Sequence, residues 1–535
     1  MKRTFSLLLA LVLLVSMLSG CVFKEKPSEV KVTADGILTY SMDESLVKRF
    51  QDLLSQTQTL AIAGEDLEKT QEVSEELEDA YMELFDQYQT AYVMYCLDQS
   101  DKTAQEQYLY CVEVVADAEA AYHASCKQIW LSETPLRDAF FAEWSQEEIN
   151  RMLCYNEEIA QLEKRNEEIT VEYRGLTVKG DEWKQAMIGL YNEMVKNNNR
   201  IAELYGYANY YEYAYDVVYQ RDYEPEQIAV LRRYAAEYLP EIYEEASDQY
   251  GKMYERLGKQ NQNLISQFQN QNYDGLKKNY VDLYIADMPE SAKEIMQSMF
   301  TEKRAVFTSY KNAYKGAYTT FIDDQPFCYF GPGYRDSETV IHEMGHYYGS
   351  DFVEAWSQPV DLAETQSQGN EWLFLQFMKS QLPMEVYESM VEEKLSSDVA
   401  YILCFVMVDQ FEEMVYTHER AGNLTLEEYD GIMEQVAEDF GGIEYISGIL
   451  NVQNYWKRVV LETPVYYISY AVSGLAAINL FTVAQTDEAA ARQMYLTLIE
   501  EPVEDGGFLA SIKNAHLAGP FEETVYEQLA ERYGK

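Results

Sequence analysis

Apolar positions recur at helical spacing through most of the chain. Leu46, Phe50, Leu53 and Leu54 fall at i, i+4, i+7 and i+8, and Val73, Leu77, Ala80 and Leu84 repeat the stripe among many acidic residues. Residues 42–132 are therefore expected to form long antiparallel helices with solvated outer faces, making a lobe over one side of a cleft. The period changes to two at Ile169, Val171 and Tyr173; Arg174-Gly175 reads as a turn, and Leu176 and Val178 alternate back, which predicts a small β-hairpin over 168–180. A second change comes at Ala317–Ile322 and Pro326–Phe330, two β-prone runs joined by Asp323-Asp324-Gln325. Helical spacing then resumes to the end. Phe411 to His418 reads as an amphipathic helix with His418 at the surface. The pattern predicts a mainly α protein with an N-terminal helical lobe over 36–190 and a second region over 191–535.

The first residues follow another logic. Lys2 and Arg3 precede an apolar run from Leu7 to Leu18 that is short for a membrane span, and Leu18-Ser19-Gly20-Cys21 places small residues before a cysteine. This resembles the leader of bacterial lipoproteins. It implies a signal peptide over 1–20, acylation of Cys21, and an exported chain held by lipid at the outer face of the cytoplasmic membrane. An uncleaved anchor or an ordinary secretory signal are the other readings, and both also export the chain. Residues 21–35 then read as the acylated cysteine and a polar tether.

Composition narrows the function classes. Hydrophobic residues make up 47% and aromatic residues 14%, with only 12 Pro and 26 Gly in 535 residues, so the chain is long and apolar enough for a large helical core. A net charge of −49 repels phosphates and argues against nucleic acid as a partner. Beyond Cys21, the cysteines Cys96, Cys111, Cys126, Cys154, Cys328 and Cys404 match no metal spacing. They read mostly as small buried residues, with a disulfide among the first four left open.

The chemistry concentrates at Ser337–Gly349, which contains His342-Glu343-Met344-Gly345-His346. Two histidines four apart leave one helix face together and can close on one zinc ion; Glu343 is then placed to act as general base. Asp336 or Ser337 can cap this helix. Glu364 follows 18 residues after His346, and Glu364, Ser367, Gln368 and Glu371 make one polar stripe on a helix whose other side carries Trp372, Leu373 and Phe374. A buried acidic stripe needs a cation. Further on, Pro464-Val-Tyr-Tyr-Ile-Ser-Tyr offers phenol hydroxyls as oxyanion donors, with Tyr467 and Tyr470 on one side of a helix start.

His-Glu-x-Gly-His followed by Glu-x-x-Ser-Gln-x-x-Glu resembles the thimet oligopeptidase and oligoendopeptidase F family of zinc peptidases. The resemblance implies a large helical fold with a deep central channel, a small β-sheet beside the zinc-binding helix, and one Zn2+ per chain held by His342, His346 and Glu364. Glu371 would orient a ligand from behind, and 191–535 would be the catalytic region. Tyrosines of a matching segment face the zinc in that family, which ranks Tyr470 first, Tyr467 second and Tyr466 third. The family also carries a histidine shortly before them; here Arg458, Val460 and Glu462 occupy that stretch, and no His lies between His418 and His516. The connection from His346 to Glu364 is shorter than in the family. Beside the metal, Phe327 to Phe330 reads either as an edge strand that pairs with extended substrate or as a buried strand. The implied function is cleavage of short oligopeptides by water with Glu343 as base. The alternatives are a catalytically inactive peptide-binding or partner-binding lipoprotein and a purely structural zinc site.

Overall fold

The computed structural model describes residues 30–31 and 39–534, apart from 65, 135, 143, 175, 177, 270–275, 324, 354–357, 443–456, 458, 462, 502 and 504–505. The leader over 1–20, Cys21 and Arg458 lie outside the described residues. Strand β1 (Val30–Lys31), in the stretch read as a tether, pairs antiparallel with β2 (Thr39–Tyr40). Three long helices follow: α1 (Glu44–Ala63), α2 (Leu67–Leu97) and α3 (Lys102–Leu131). Each begins where an aspartate caps it, with Asp43, Asp66 and Asp101 accepting from backbone N–H groups of the first turn. Gly64 ends α1 with φ 68°, a conformation that glycine adopts without strain.

The predicted hairpin over 168–180 does not form. Helix α4 (Glu157–Arg174) runs through its first half. Ile169 and Tyr173 are four apart, a spacing that serves a helix as well as alternation, and both are buried. Thr170 Oγ1 donates to the carbonyl of Asn166 one turn back and to Leu461 O. Burial of one face against the second region decides between the two periods. The chain continues through α5 (Asp181–Tyr205) and α6 (Pro225–Arg256), with a five-residue π-helix at Ala214–Val218 between them.

A three-stranded sheet with order β3-β5-β4 joins the two halves: β3 (Ala305–Phe307) lies parallel to β5 (Gln325–Phe330), and β4 (Ala317–Ile322) antiparallel to it. The expected hairpin is thus β4–β5. Alternation on β5 feeds two cores. Phe327 and Tyr329 pack with the N-terminal helices, while Cys328 and Phe330 belong to the larger C-terminal core. Because β5 is the central strand, the edge-strand reading of Phe327–Phe330 is wrong; all four residues are buried and β5 is paired on both sides. Of the two strands paired on one side only among the described residues, β4 packs against the helix over Ser337–Gly349. Hydrophobic demand from two cores places the most apolar run in the middle.

Helices α7 (Ser337–Gly349), α8 (Val360–Met378), α9 (Met384–Tyr416) and α10 (Ile468–Ala484) pack on one another in the larger core, α8 lying against both α7 and α10. The six described cysteines are all free, five of them buried, so no disulfide forms among the first four. Among the described residues no helix is long and apolar enough to cross a membrane.

Candidate metal centre

Local sequence sets the helix of His342 and His346 in place. Asp336 caps α7 by accepting from Thr339 N at 2.9 Å, and its other oxygen takes the Thr339 hydroxyl at 2.8 Å. Gly345 lets α8 come close, since a Cβ there would stand 2.6 Å from Ser367 Cα. Asn370 ties the pair by donating to Ile341 O at 2.7 Å. Gly345→Ala is therefore expected to push α8 away at a cost of about 1–3 kcal/mol. Thermal unfolding and zinc content of this variant would check it: both the midpoint and the metal stoichiometry should fall.

The structure brings His342, His346 and Glu364 together. Their ligand atoms all lie within 4.8 Å of one another, and Glu364 Oε2 stands 3.5 Å from His342 Nε2 and 3.6 Å from His346 Nε2. These separations exceed hydrogen bonds. They match the roughly 3.4 Å edge of a tetrahedron whose centre is about 2.1 Å from each corner, the geometry of zinc with N and O ligands. Among the described residues the cluster contains no fourth ligand.

Charge makes the same demand. Burial opposes a charged His342 imidazole, yet Glu371, Glu343 and Glu364 outweigh it and lift its pKa to about 9. Carboxylates crowding two imidazoles call for positive charge, which a divalent ion supplies. Glu364 is 5% exposed; burial alone would raise its pKa, but His346 and His342 hold it below the usual carboxylate range. The residues present therefore fit zinc.

Behind the candidate ligands stands a chain of supports. Glu371 Oε1 lies 2.6 Å from His342 Nδ1, so Nδ1–H donates to it and Nε2 keeps its lone pair for a ligand. Lys394, only 8% exposed, donates to Glu371 Oε2 at 2.5 Å and to Glu338 Oε1 at 2.6 Å, and sits 5.1 Å from the centre of the Trp372 ring. Burial would raise Glu371, but Lys394 and His342 keep it ionised below the ordinary range. Glu371→Gln should weaken zinc about 10–100-fold by chelator competition, because a neutral amide orients His342 less firmly.

Glu343 is 4% exposed and its Oε2 accepts from Thr319 Oγ1 of β4 at 2.7 Å. Burial pushes its carboxyl up, while His342 and His346 pull it back. Of the tyrosines, it is Tyr466 that reaches the ligands, donating to Glu364 Oε1 at 3.1 Å. Its ring meets that of Tyr470 edge-on, with 5.5 Å between their centres. Tyr467 and Tyr470 do share a side, both against Phe405, with ring centres 5.4 and 5.5 Å away. The sequence ranking puts Tyr466 last because a spacing of three pairs Tyr467 with Tyr470 and leaves Tyr466 off that side. Tyr466 precedes α10. His418 is exposed, far from ligand duty, with Nδ1 accepting from Arg420 N.

Thr319 and Lys394 were not found from sequence. Each lies outside the zinc motif, and neither sits in a pattern of its own.

No family model and no curated relative matches the sequence. Solved structures do. One of PZ peptidase A with an inhibitor superposes with a TM-score of 0.71 at 18% identity, covering 93% of this chain and 98% of that one. The fold is that of the oligoendopeptidase F and PZ peptidase structures. An oligoendopeptidase-F from Enterococcus faecium aligns with a TM-score of 0.56 at 13% identity, over 91% of this chain and 98% of that one. The small sheet and the helices that carry the candidate ligands are thus parts of a large helical peptidase fold, spanning nearly the whole length of both proteins.

Proposed function

We propose that the chain is a zinc-dependent endopeptidase that hydrolyses short oligopeptides. The observation that carries this is the convergence of His342, His346 and Glu364 with the buried carboxylate of Glu343 beside them. The peptidase fold supports it. A zinc ion in this site would polarise the scissile carbonyl and acidify a water. Glu343 takes the proton of the attacking water on Oε1, Oε2 being held by Thr319, and delivers it to the leaving amide nitrogen. Tyr470 offers a hydroxyl where negative charge develops on the carbonyl oxygen, with Tyr467 flanking it, while the Tyr466 hydroxyl is committed to Glu364. The side of β4 that no described strand pairs with gives an extended peptide a strand to pair with. Export and a lipid anchor at Cys21 complete the reading, and rest on the leader sequence alone.

The test is incubation of the purified full-length chain with quenched fluorescent peptides of roughly 5–15 residues, with products mapped by mass. Internal cleavage of several peptides, abolished by a zinc chelator, is the expected result. A zinc-loaded chain that binds these peptides and cleaves none would replace the enzyme with a peptide-binding protein.

A further inference from the structure

We infer that Glu412 and Arg221 are positioning residues that hold a strained turn at Val465 and thereby aim Tyr466 at the metal ligand Glu364; this rests on the zinc reading above. Val465 has φ 62°. For a β-branched residue this is a left-handed conformation that the local chain disfavours by about 1–3 kcal/mol, so its surroundings must enforce it.

Both backbone groups of Val465 are held. Its N–H donates to Glu412 Oε1 of α9 at 2.9 Å, and its carbonyl accepts from Arg221 Nη2 at 2.8 Å. The same guanidinium nitrogen reaches Ser469 Oγ at 3.1 Å and Tyr466 O at 3.4 Å. Tyr219 closes the other end of the turn by donating to Pro464 O at 2.6 Å, and its ring lies 5.8 Å from that of Tyr466. Arg221 is itself fixed over the Tyr215 and Tyr219 rings, 4.3 and 4.5 Å from their centres. The π-helix at Ala214–Val218 contains Tyr215 and sits directly before Tyr219 and Arg221, where an extra residue in the turn re-aims the side chains that follow.

Glu412 is 1% exposed, a costly place for a carboxyl group that makes no contact with the zinc ligands. Its bond to Val465 N gives that burial a purpose. The chain of contacts runs from Glu412 and Arg221, through Val465, to Tyr466 and Glu364. The residues lie on four separate segments.

A double-mutant cycle on zinc affinity, read by chelator competition on the full-length chain, tests this without relying on peptide cleavage. Tyr466→Phe removes the bond to Glu364 and should weaken zinc about tenfold. Glu412→Leu, which deletes the acceptor for Val465 N, should weaken it about as much, and the double variant should be no weaker than either single one. Glu412→Gln keeps an acceptor oxygen and should bind zinc like the parent. Adding Val465→Gly to Glu412→Leu should restore affinity, since glycine adopts a positive φ without support. Unchanged affinity in Glu412→Leu, or effects of Glu412→Leu and Tyr466→Phe that simply multiply, would overturn the inference while leaving the zinc site standing. A parent that binds no zinc would instead sink the functional reading and the positioning role with it.

Discussion

Glu343→Gln is expected to lower peptide hydrolysis by about 10²–10⁴-fold while the chain keeps one zinc. The amide has the shape of the carboxyl group, and its carbonyl oxygen can still accept the Thr319 hydroxyl that now bonds Oε2 at 2.7 Å. What it lacks is a basic oxygen to take the proton of water. The loss corresponds to roughly 3–5 kcal/mol of barrier. Glu343 stands outside the ligand cluster, so metal content should not change. Stability should hold or rise, because a buried charge is replaced by a neutral group at a site where burial already disfavours ionisation. Steady-state rates and metal analysis on the same preparation check both halves. Equal loss of zinc and activity would make Glu343 a ligand instead of a base.

Glu364→Ala should have the other large effect, on the metal itself. The carboxylate joins both imidazoles at 3.5 and 3.6 Å and takes hydrogen bonds from Tyr466 and Ser367. Its removal leaves two histidines to hold the ion. Sharing the about 10–16 kcal/mol of a four-ligand zinc site equally gives a loss of roughly 10²–10³-fold in affinity. Peptide hydrolysis should vanish at nanomolar free zinc and reappear in part as zinc is raised. Zinc binding unchanged from the parent would remove Glu364 from the ligand set. His342→Ala is a poorer test of the same point, since it also leaves Glu371 and Lys394 facing a void.

The ligand motif was legible because its chemistry is local: two histidines and a glutamate on one helix need only the 3.6-residue period to be brought together. Glu364, the candidate third ligand, was legible one helix later from the polar stripe it shares with Ser367, Gln368 and Glu371. The long N-terminal helices were readable from their apolar stripes. The failures are of another kind. Ile169 and Tyr173 fit two periods, and burial of this face, with Thr170 bonded to Leu461 and Tyr173 to Lys457 almost 300 residues on, resolves them in favour of helix. The order of strands in the sheet depends on which cores cover it, so β5 could not be placed in the centre from its own residues. Tyr466 owes its position to a turn held from Glu412 and Arg221, and neither residue carries a signature. Lys394 looks like any charged position of a long helix until it is seen 8% exposed behind Glu371.

The most direct measurement is a zinc titration of chelator-stripped, full-length chain, with peptide hydrolysis followed at each addition. Activity should start from zero, rise in proportion to added zinc and level off at one ion per chain. Hydrolysis at full rate without zinc, or a chain that fills with one zinc and still cleaves no peptide, would contradict a zinc peptidase built on His342, His346, Glu364 and Glu343.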